Sequence, residues 1–347
     1  MSRVTHVGGR TLGAFVILVA GIVFLAGAGF AQAAPKVQTF ALSDAKNLVL
    51  VNVKAEAVEY QGRKCVRVTN DTKKDGFALL RGTEDFQDGT IEADITLKIN
   101  KAPFRMPGFF GIAFRARPDA SRYELFYLRP GNSRSDYQAM RNHSVQYASA
   151  PGFDWYKLRY EWPWVYEAYA PLKLETWTKV RIDVKGRTAK LYLNGSKNPS
   201  LVVDPLLGQD LRGGVALWGY QYEEAYFSNV RITNSTPLPV KNGSDASGTW
   251  QVTFASDGGT LHGTLELRRD GNKVTGTWSG DLGHARPVTG TWRDGYVDLS
   301  FDAQWKVSRL QRHGAATLAG WIDGDSAAGL MKVEGVIDGR WTALRKK

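Results

Sequence analysis

The stretch between Tyr127 and Tyr169 concentrates the side chains of this chain that could do chemistry. Its hydrogen-bonding set is Asp136, Gln138, Arg141, Asn142 and His143, and its aromatic set includes Tyr147, Trp155 and Tyr166. Aromatic rings pack against apolar C–H surfaces, and planar amide, carboxylate and guanidinium groups hydrogen bond to hydroxyls. A sugar ring needs both kinds of side chain. Because long connections are often functional, the stretch is predicted to be an insert that contacts a carbohydrate.

The strand before this insert could supply the floor of such a site. Successive side chains of a strand point to opposite faces, so Tyr123 and Arg129 are expected on one face and Phe126 on the other. Arg115, on the strand before that, is assigned to the same floor. The predicted ligand contacts therefore extend from the insert onto the adjoining sheet.

Two residues of the insert are the weak candidates for proton transfer. His143 titrates near neutral pH, and Glu167 stands among aromatic residues that could raise its pKa. A structural interpretation stands beside the functional one, since Trp162 could fill a small core of the insert and Arg141 could pair with Asp136. For the insert as a whole, binding is favoured because so many polar groups are costly to bury for structure alone.

The elements that must position these residues are strands. Thr90–Leu97 alternates apolar and polar residues, and Thr178–Val184 and Thr188–Leu193 form a hairpin pattern. Many short strands separated by turns predict an all-β fold, here an antiparallel jelly-roll sandwich over residues 34–235. Residues 236–247 are rich in Pro, Gly, Ser and Asn and are predicted to be a linker.

A different sequence pattern occurs in residues 248–347. A Gly-Thr-Trp triplet recurs, and a Gly-Arg-Trp triplet follows, with their tryptophans at Trp250, Trp278, Trp292 and Trp341. Asp-Gly pairs, which favour hairpin turns, begin at Asp270, Asp294, Asp323 and Asp338. About eight strands fit this length, enough for a small antiparallel β-barrel. The tryptophans are expected to fill its core, with a stack for a ligand as the alternative.

The N-terminus has the pattern of an export signal. Arg3 and Arg10 precede an apolar run from Leu12 to Phe30, which ends in the small-residue exit Ala31–Ala33. This pattern predicts a signal peptide over residues 1–33 and a secreted or periplasmic protein. A retained membrane anchor is the alternative, and no stable membrane span is expected after cleavage.

Composition bounds the partners and cofactors. Cys65 is the one cysteine of 347 residues, so an internal disulfide is excluded and a buried thiol is expected. The formal net charge of +11 comes from scattered Lys and Arg among acids, which predicts a solvated surface and no nucleic-acid partner. No zinc spacing, phosphate loop or calcium loop occurs, so no cofactor is expected, although lone acids leave a structural Ca²⁺ open. The oligomeric state stays unknown.

The motifs of the first domain resemble a known superfamily. In order they are DGTIEADITLK, GIAFRA, RYELFYLRP, RNHSVQY, WTKVRIDV, AKLYLNG, GGVALW and AYFSNVRI. Over about residues 77–233 they resemble bacterial exported proteins of the concanavalin A-like lectin/glucanase superfamily, closest to the laminin-G-like and 3-keto-disaccharide hydrolase-related groups. The resemblance implies a two-sheet jelly roll with glycan binding or cleavage on its concave sheet. The C-terminal domain resembles no family that we identify.

One departure from the superfamily bears on catalysis. Its family-16 glycosidases carry Glu-x-Asp-x-x-Glu, which places three carboxylates for a retaining mechanism. Here Glu92 and Asp94 begin such a run, but Leu97 stands where the second Glu belongs, so both acids are expected on a solvated face. This departure argues against a retaining glucanase, and a lyase or keto-sugar hydrolase would not need the motif.

The sequence therefore predicts an exported carbohydrate-binding protein that recognises a glycan or polysaccharide through residues 127–169. A secreted glycan-active hydrolase or lyase, similar to 3-keto-disaccharide hydrolases, is the first alternative. A structural or adhesive envelope protein is the second. Whether the protein is an enzyme is left open, with binding favoured over cleavage.

Overall fold

The computed structural model describes residues 36–72, 74–99, 108–221, 223–239, 244–307, 310–334 and 337–347. The predicted signal peptide lies outside these ranges. Every strand pairing between named strands is antiparallel, and two sheets forming a sandwich are followed by a closed barrel. The predicted fold class is confirmed.

The first sheet has eight strands. They are β1 (Val37–Phe40), β3 (Lys54–Tyr60), β4 (Arg63–Thr69), β6 (Gly89–Ile99), β11 (Thr178–Lys185), β12 (Thr188–Leu193), β13 (Leu201–Val203) and β15 (Glu223–Asn234). Their order is β13-β12-β11-β6-β15-β4-β3, and β1 pairs with β15. The predicted hairpin between β11 and β12 is present, with Lys185 opposite Thr188.

The second sheet has seven strands and carries the candidate site. They are β2 (Leu48–Val51), β5 (Phe77–Leu80), β7 (Phe110–Ala116), β8 (Tyr123–Leu128), β9 (Val145–Ala150), β10 (Glu167–Ala168) and β14 (Gly214–Gly219). Their order is β10-β9-β8-β7-β14-β5-β2. Three short helices accompany them: α1 (Pro130–Ser133), α2 (Gln138–Arg141) and α3 (Trp155–Glu161).

The insert of residues 127–169 is therefore more ordered than predicted. Instead of a long loop over the sandwich, it contains the three helices and the strands β9 and β10, which extend the second sheet beyond β8. The Val145–Ala150 segment pairs residue by residue with β8, from Tyr123 opposite Ala150 to Leu128 opposite Val145. Sequence alternation is weak there because most of β9 is buried, so the strand left little signal.

The main core lies between the two sheets and follows the predicted alternation. Ile91 and Ile95 of β6 and Phe126 and Leu128 of β8 are buried in it. Glu92 and Asp94 lie on the other face of β6, where they pair with arginines, as predicted. Cys65 is buried, and burial raises the pKa of its thiol, so the thiol is an inert one.

The barrel has eight strands, as predicted. They are β16 (Gly248–Ser256), β17 (Gly259–Asp270), β18 (Lys273–Gly280), β19 (Gly283–Arg293), β20 (Tyr296–Val307), β21 (Leu310–Asp323), β22 (Ser326–Val333) and β23 (Ile337–Arg345). Pairing of β16 with β23 closes it. Trp250, Trp278 and Trp341 fill the core, and Trp292 packs against it partly buried, so the prediction of core tryptophans is confirmed.

One predicted turn of the barrel is wrong. Asp294-Gly295 and Gly324-Asp325 are two-residue hairpin loops, but the pair Asp338-Gly339 lies inside β23. A Cβ atom on Gly339 would lie 2.2 Å from the carbonyl oxygen of Ala255. Gly339 is there because two backbones approach each other closely.

Candidate functional site

A pocket of about 360 Å³ opens on the face of the second sheet that points away from the main core. Its lining consists of Asp75, Phe109, Tyr123, Leu125, Tyr127, Ala148, Asp154, Trp155, Tyr156, Trp218 and Tyr220. Alternation along β8 brings every second residue, Tyr123, Leu125 and Tyr127, to this face. We call this cavity the aromatic pocket.

The walls of the aromatic pocket are rings in mutual contact. The ring centres of Phe109 and Tyr220 are 5.1 Å apart, and those of Tyr127 and Trp218 are 5.4 Å apart. Both pairs are tilted or edge-on, the arrangement that aromatic quadrupoles favour. Trp155 remains 43% exposed, so it presents apolar surface to solvent at the pocket. The pocket is therefore a preformed apolar surface with open ring area.

Two carboxylates stand among these rings. Asp154 is the residue before α3, where an aspartate ordinarily accepts a hydrogen bond from the first turn, yet its side chain makes no such bond. Asp75 and Asp154 both lie near the Tyr123 hydroxyl, whose pKa is raised first by burial and then by Asp75 and Asp154. Tyr123 is therefore a neutral hydroxyl that can donate, and the two aspartates are acceptors.

A layer of charged groups supports the wall at Trp155. The Arg129 side chain is 3% exposed, and its guanidinium carbon lies 5.5 Å from the Trp155 ring centre and 4.9 Å from that of Tyr127. One Arg129 nitrogen donates to the Tyr127 hydroxyl at 2.6 Å and to the Gln146 amide oxygen at 3.1 Å. Arg129 is thus next to three pocket rings, counting Phe109, without being part of the lining.

The weak catalytic candidates belong to this supporting layer. Arg159 donates to both Glu167 oxygens, from Nε at 3.0 and 3.2 Å and from a terminal nitrogen at 2.7 Å. Its guanidinium lies 4.7 Å from the Trp155 ring centre. His143 Nδ1 lies 2.8 Å from a Glu167 oxygen, and the Trp164 ring stacks on the imidazole at 5.8 Å. The structure brings His143 and Glu167 together, but neither side chain lines the aromatic pocket.

The His143 imidazole is held neutral. Burial lowers its pKa, and the positive charges of Arg159 and Arg129 act in the same direction, while Glu167 opposes them. A neutral imidazole next to a buried carboxylate could exchange a proton only with a group that reaches it. His143 lies against Glu167, which bonds Arg159 next to the Trp155 ring, so His143 belongs to the support of the Trp155 wall.

Three predicted ligand contacts are corrected because their side chains lie inside the sandwich. Arg115 is buried with Asp88 at 3.1 Å and the Gly186 carbonyl at 2.7 Å, and burial lowers the pKa of its guanidinium. Tyr147 is fully buried and donates to Glu124. Tyr166 is buried in the main core. Local sequence patterns do not show that these side chains are buried, because residues distant in the chain cover them.

The polar residues of the insert lie at a second place. Asp136, Gln138 and Arg141 line a surface pocket of about 420 Å³ together with Tyr169. Arg141 donates to the Gln138 side-chain oxygen at 3.2 Å through Nε, and Gln138 donates to the Asn142 side chain at 2.7 Å. Of the predicted set, only Tyr123 and Trp155 line the aromatic pocket, with Arg129 beside it.

Sequence reasoning missed most of the pocket. Phe109, Trp218 and Tyr220 come from segments that are far apart in the chain and meet only through the strand order β8-β7-β14. The alternation of Trp218 and Tyr220 was a usable signal for one face. Asp75 and Asp154 carried none, because each sits in a turn without a motif.

No family model and no curated protein matches the chain. The chain is similar to carbohydrate binding module CBM66 from Bacillus subtilis, at 17% identity and a TM-score of 0.37, over 54% of this chain and 95% of that one. It is also similar to a Bacillus subtilis protein of unknown function with a galectin-like fold, at 12% identity and a TM-score of 0.39, over 60% and 99%.

A third solved structure covers more of the chain. It is a GlcNAcα1-4Gal releasing endo-β-galactosidase from Clostridium perfringens, at 10% identity and a TM-score of 0.31, over 91% of this chain and 98% of that one. Similarity this loose says nothing about what this chain binds or cleaves. The relation to 3-keto-disaccharide hydrolases stays a prediction.

Within the described ranges, no helix combines the length and the apolar character that crossing a bilayer requires. In the same ranges, no three His, Cys, Asp or Glu side chains cluster closely enough to hold a metal ion.

Proposed function

We propose that the chain is an exported carbohydrate-binding protein and that its aromatic pocket takes a sugar unit of a glycan. The observation that carries this proposal is Asp154, a helix-start aspartate that does not cap its helix and instead lines a pocket of rings beside Trp155. A helix gains about 1 kcal/mol from a capped start, so an uncapped aspartate here favours another role for the carboxylate.

The chemistry of the lining fits a sugar. Pyranose rings present apolar C–H faces, which pack on Trp155 and Trp218, and hydroxyls, which donate to Asp75 and Asp154. The Tyr123 hydroxyl, which hydrogen bonds to Asp75, can accept from a further sugar hydroxyl. A volume of about 360 Å³ lies in the range of small-ligand sites.

A glycan array tests the proposal. The purified protein, Trp155→Ala and Tyr160→Ala would be applied to immobilised neutral, amino and acidic oligosaccharides. Tyr160 is the matched control because it lies on the same helix and is 88% exposed, outside the pocket. We expect wild type and Tyr160→Ala to bind the same glycans and Trp155→Ala to bind them at least about tenfold more weakly.

Two outcomes would contradict the proposal. One is that wild type retains no glycan of the array, and the other is that Trp155→Ala binds as wild type does. A thermal melt accompanies each variant, and Trp155→Ala should lose no more than about 1 kcal/mol of unfolding free energy because the ring is half exposed.

A second function is favoured by one observation, the presence of two carboxylates on the same pocket. Asp75 and Asp154 would then act as acid and base in a glycan-active hydrolase, since glycoside hydrolysis uses two carboxyl groups flanking the scissile bond. Each glycan that binds on the array would be incubated with the protein and with Asp154→Asn. Product from wild type alone would establish cleavage, and no product at high protein concentration would leave binding as the function.

A further inference from the structure

The barrel contacts the segment that forms one wall of the aromatic pocket. Lys332 on β22 donates a hydrogen bond from Nζ to the carbonyl oxygen of Glu161, the last residue of α3. The same ammonium lies 5.0 Å from the Trp162 ring centre. Lysine side chains stabilise helix ends by bonding the last carbonyls, which have no partner within the helix. Here the capping lysine comes from the other domain.

The start of the segment is held as well. The ring centres of Phe153 and Tyr296 lie 5.4 Å apart in an edge-to-face contact, and Tyr296 is the first residue of β20. Tyr296 in turn contacts Trp321 at 5.1 Å, a barrel residue whose indole donates to the Leu206 carbonyl of the sandwich. Both ends of residues 153–162 are therefore fixed to the barrel.

A charged cluster lies along the same interface. Burial raises the pKa values of Glu161 and Asp298, while Lys157 and Lys332 lower them. Lys157 Nζ lies 3.9 Å from a Glu161 oxygen. Asp298 belongs to β20 and Lys332 to β22, whereas Lys157 and Glu161 belong to α3. The cluster therefore joins the domains by opposite charges.

The helix needs this support. An isolated helix shorter than about 12 residues is marginal in water, and α3 has seven. Inside the sandwich it is fixed by Leu158 and Trp162, which are buried. Asp154 and Trp155 lie between the two barrel contacts, and both line the pocket.

We propose that the barrel is a positioning domain that completes the aromatic pocket by fixing residues 153–162, with Lys332 and Tyr296 as the positioning residues. The predicted effect on ligand affinity rests on the proposed carbohydrate function, whereas the predicted effect on the stability of α3 does not. Neither Lys332 nor Tyr296 lines the pocket, so any effect of these residues on a ligand passes through α3.

Hydrogen exchange on the full chain without ligand tests the predicted effect on α3. The amides of Leu158 and Trp162 bond to the carbonyls of Asp154 and Leu158 and report on α3 directly. In Lys332→Met we expect the peptide covering residues 153–162 to exchange at least about tenfold faster than in wild type. Unchanged exchange in Lys332→Met would overturn the inference, whatever the ligand.

The matched control breaks an interface contact elsewhere. Arg340 of β23 pairs with Asp204 at 2.5 Å across the same two domains, and Asp204 belongs to the sandwich outside residues 153–162. Arg340→Gln should leave exchange of residues 153–162 as in wild type. Equal acceleration in Arg340→Gln and Lys332→Met would mean that the interface loosens generally, and it would also overturn the inference.

The predicted effect on affinity is tested with an oligosaccharide that wild type retains on the array. Lys332→Met and Tyr296→Ala should bind it roughly tenfold more weakly, and Tyr296→Phe, which keeps the ring contact, should bind as wild type does. Loss of affinity in Tyr296→Phe equal to that in Tyr296→Ala would contradict a role through the ring. If wild type binds no glycan, the proposed function fails, and the exchange experiment still decides the inference.

Discussion

The guanidinium of Arg159 lies 4.7 Å from the ring centre of Trp155, one helical turn earlier, while its nitrogens bond the buried carboxylate of Glu167. Glu167 therefore fixes Arg159, and Arg159 fixes the ring that forms a wall of the aromatic pocket. His143 lies on the other side of Glu167, at 2.8 Å. The two acid/base candidates are in this way connected to the pocket through Trp155.

Replacing Arg159 tests this connection. Arg159→Ala leaves the Glu167 carboxylate, which is 2% exposed, without its bidentate partner, so we expect unfolding free energy to fall by about 2 kcal/mol. Affinity for the bound glycan should fall as well because Trp155 loses a cation–π contact. Chemical denaturation and calorimetry measure the two effects. Arg159→Lys keeps the charge but not the two-pronged guanidinium, so its unfolding free energy and affinity should lie between those of wild type and Arg159→Ala. Values equal to those of wild type would contradict the bidentate role.

The carboxylates of the pocket should select against acidic sugars. Like charges repel, and at an exposed rim the effect is a modest one that salt weakens. We expect neutral oligosaccharides to bind several-fold better than uronic-acid analogues of the same length, and Asp154→Asn to reduce that ratio. Calorimetry at two salt concentrations measures this ratio of affinities. Asp136→Asn, an exposed aspartate of the other pocket, is the control, and a ratio that Asp154→Asn leaves unchanged would contradict the prediction.

Glu223 should make stability depend on pH. Burial raises the pKa of Glu223 to about 8, partly offset by the hydrogen bond it accepts from the Phe109 amide. In the unfolded chain the group ionises near its ordinary value of 4.5, so between these values the folded state keeps a proton that the unfolded state has lost. Stability from this group therefore falls as pH rises from about 4.5 to about 8.

Glu223→Gln removes this dependence. The variant should match wild type in unfolding free energy near pH 4, and its advantage should grow to a few kcal/mol by about pH 8. Urea denaturation of both proteins at a series of pH values measures the difference. A difference that is constant with pH would show that Glu223 titrates normally.

The barrel core depends on Trp278. The side chain is fully buried and stacks on Phe301 at 5.1 Å, and its ring occupies the space that a Cβ atom on Gly263 would need. We expect Trp278→Ala to cost about 3–5 kcal/mol of unfolding free energy through the cavity it leaves. Leu344→Ala, on a side chain that is 66% exposed, should cost less than about 0.5 kcal/mol. Equal melting temperatures of the two variants would contradict this packing.

Strand positions and the succession of a sandwich and a barrel could be predicted from the sequence because side chains alternate along a strand. Tyr123 and Phe126 on opposite faces of β8, and Ile91 opposite Glu92 on β6, follow from a period of two residues. Asp-Gly turns and core tryptophans likewise indicated the barrel. These signals are local, so each can be detected within a few residues.

Sequence could not decide which face of a strand is covered. Arg115, Tyr147 and Tyr166 were expected to contact a ligand, yet all three are buried. Asp338-Gly339 was expected to turn, yet its glycine serves a close approach to Ala255. Each of these outcomes depends on a neighbour that is distant in the chain.

The sequence alone determined the strands and the succession of a sandwich and a barrel, and it singled out Tyr123 and Trp155, which line the pocket. Only the tertiary structure decided that the pocket also includes Asp75, Asp154 and Trp218, and that the barrel holds α3. The physical reason is that strand pairing brings together residues tens to more than a hundred positions apart. In the same way, the neighbours of the Asp154 side chain are decided only when the helix that it begins is placed on the sheet.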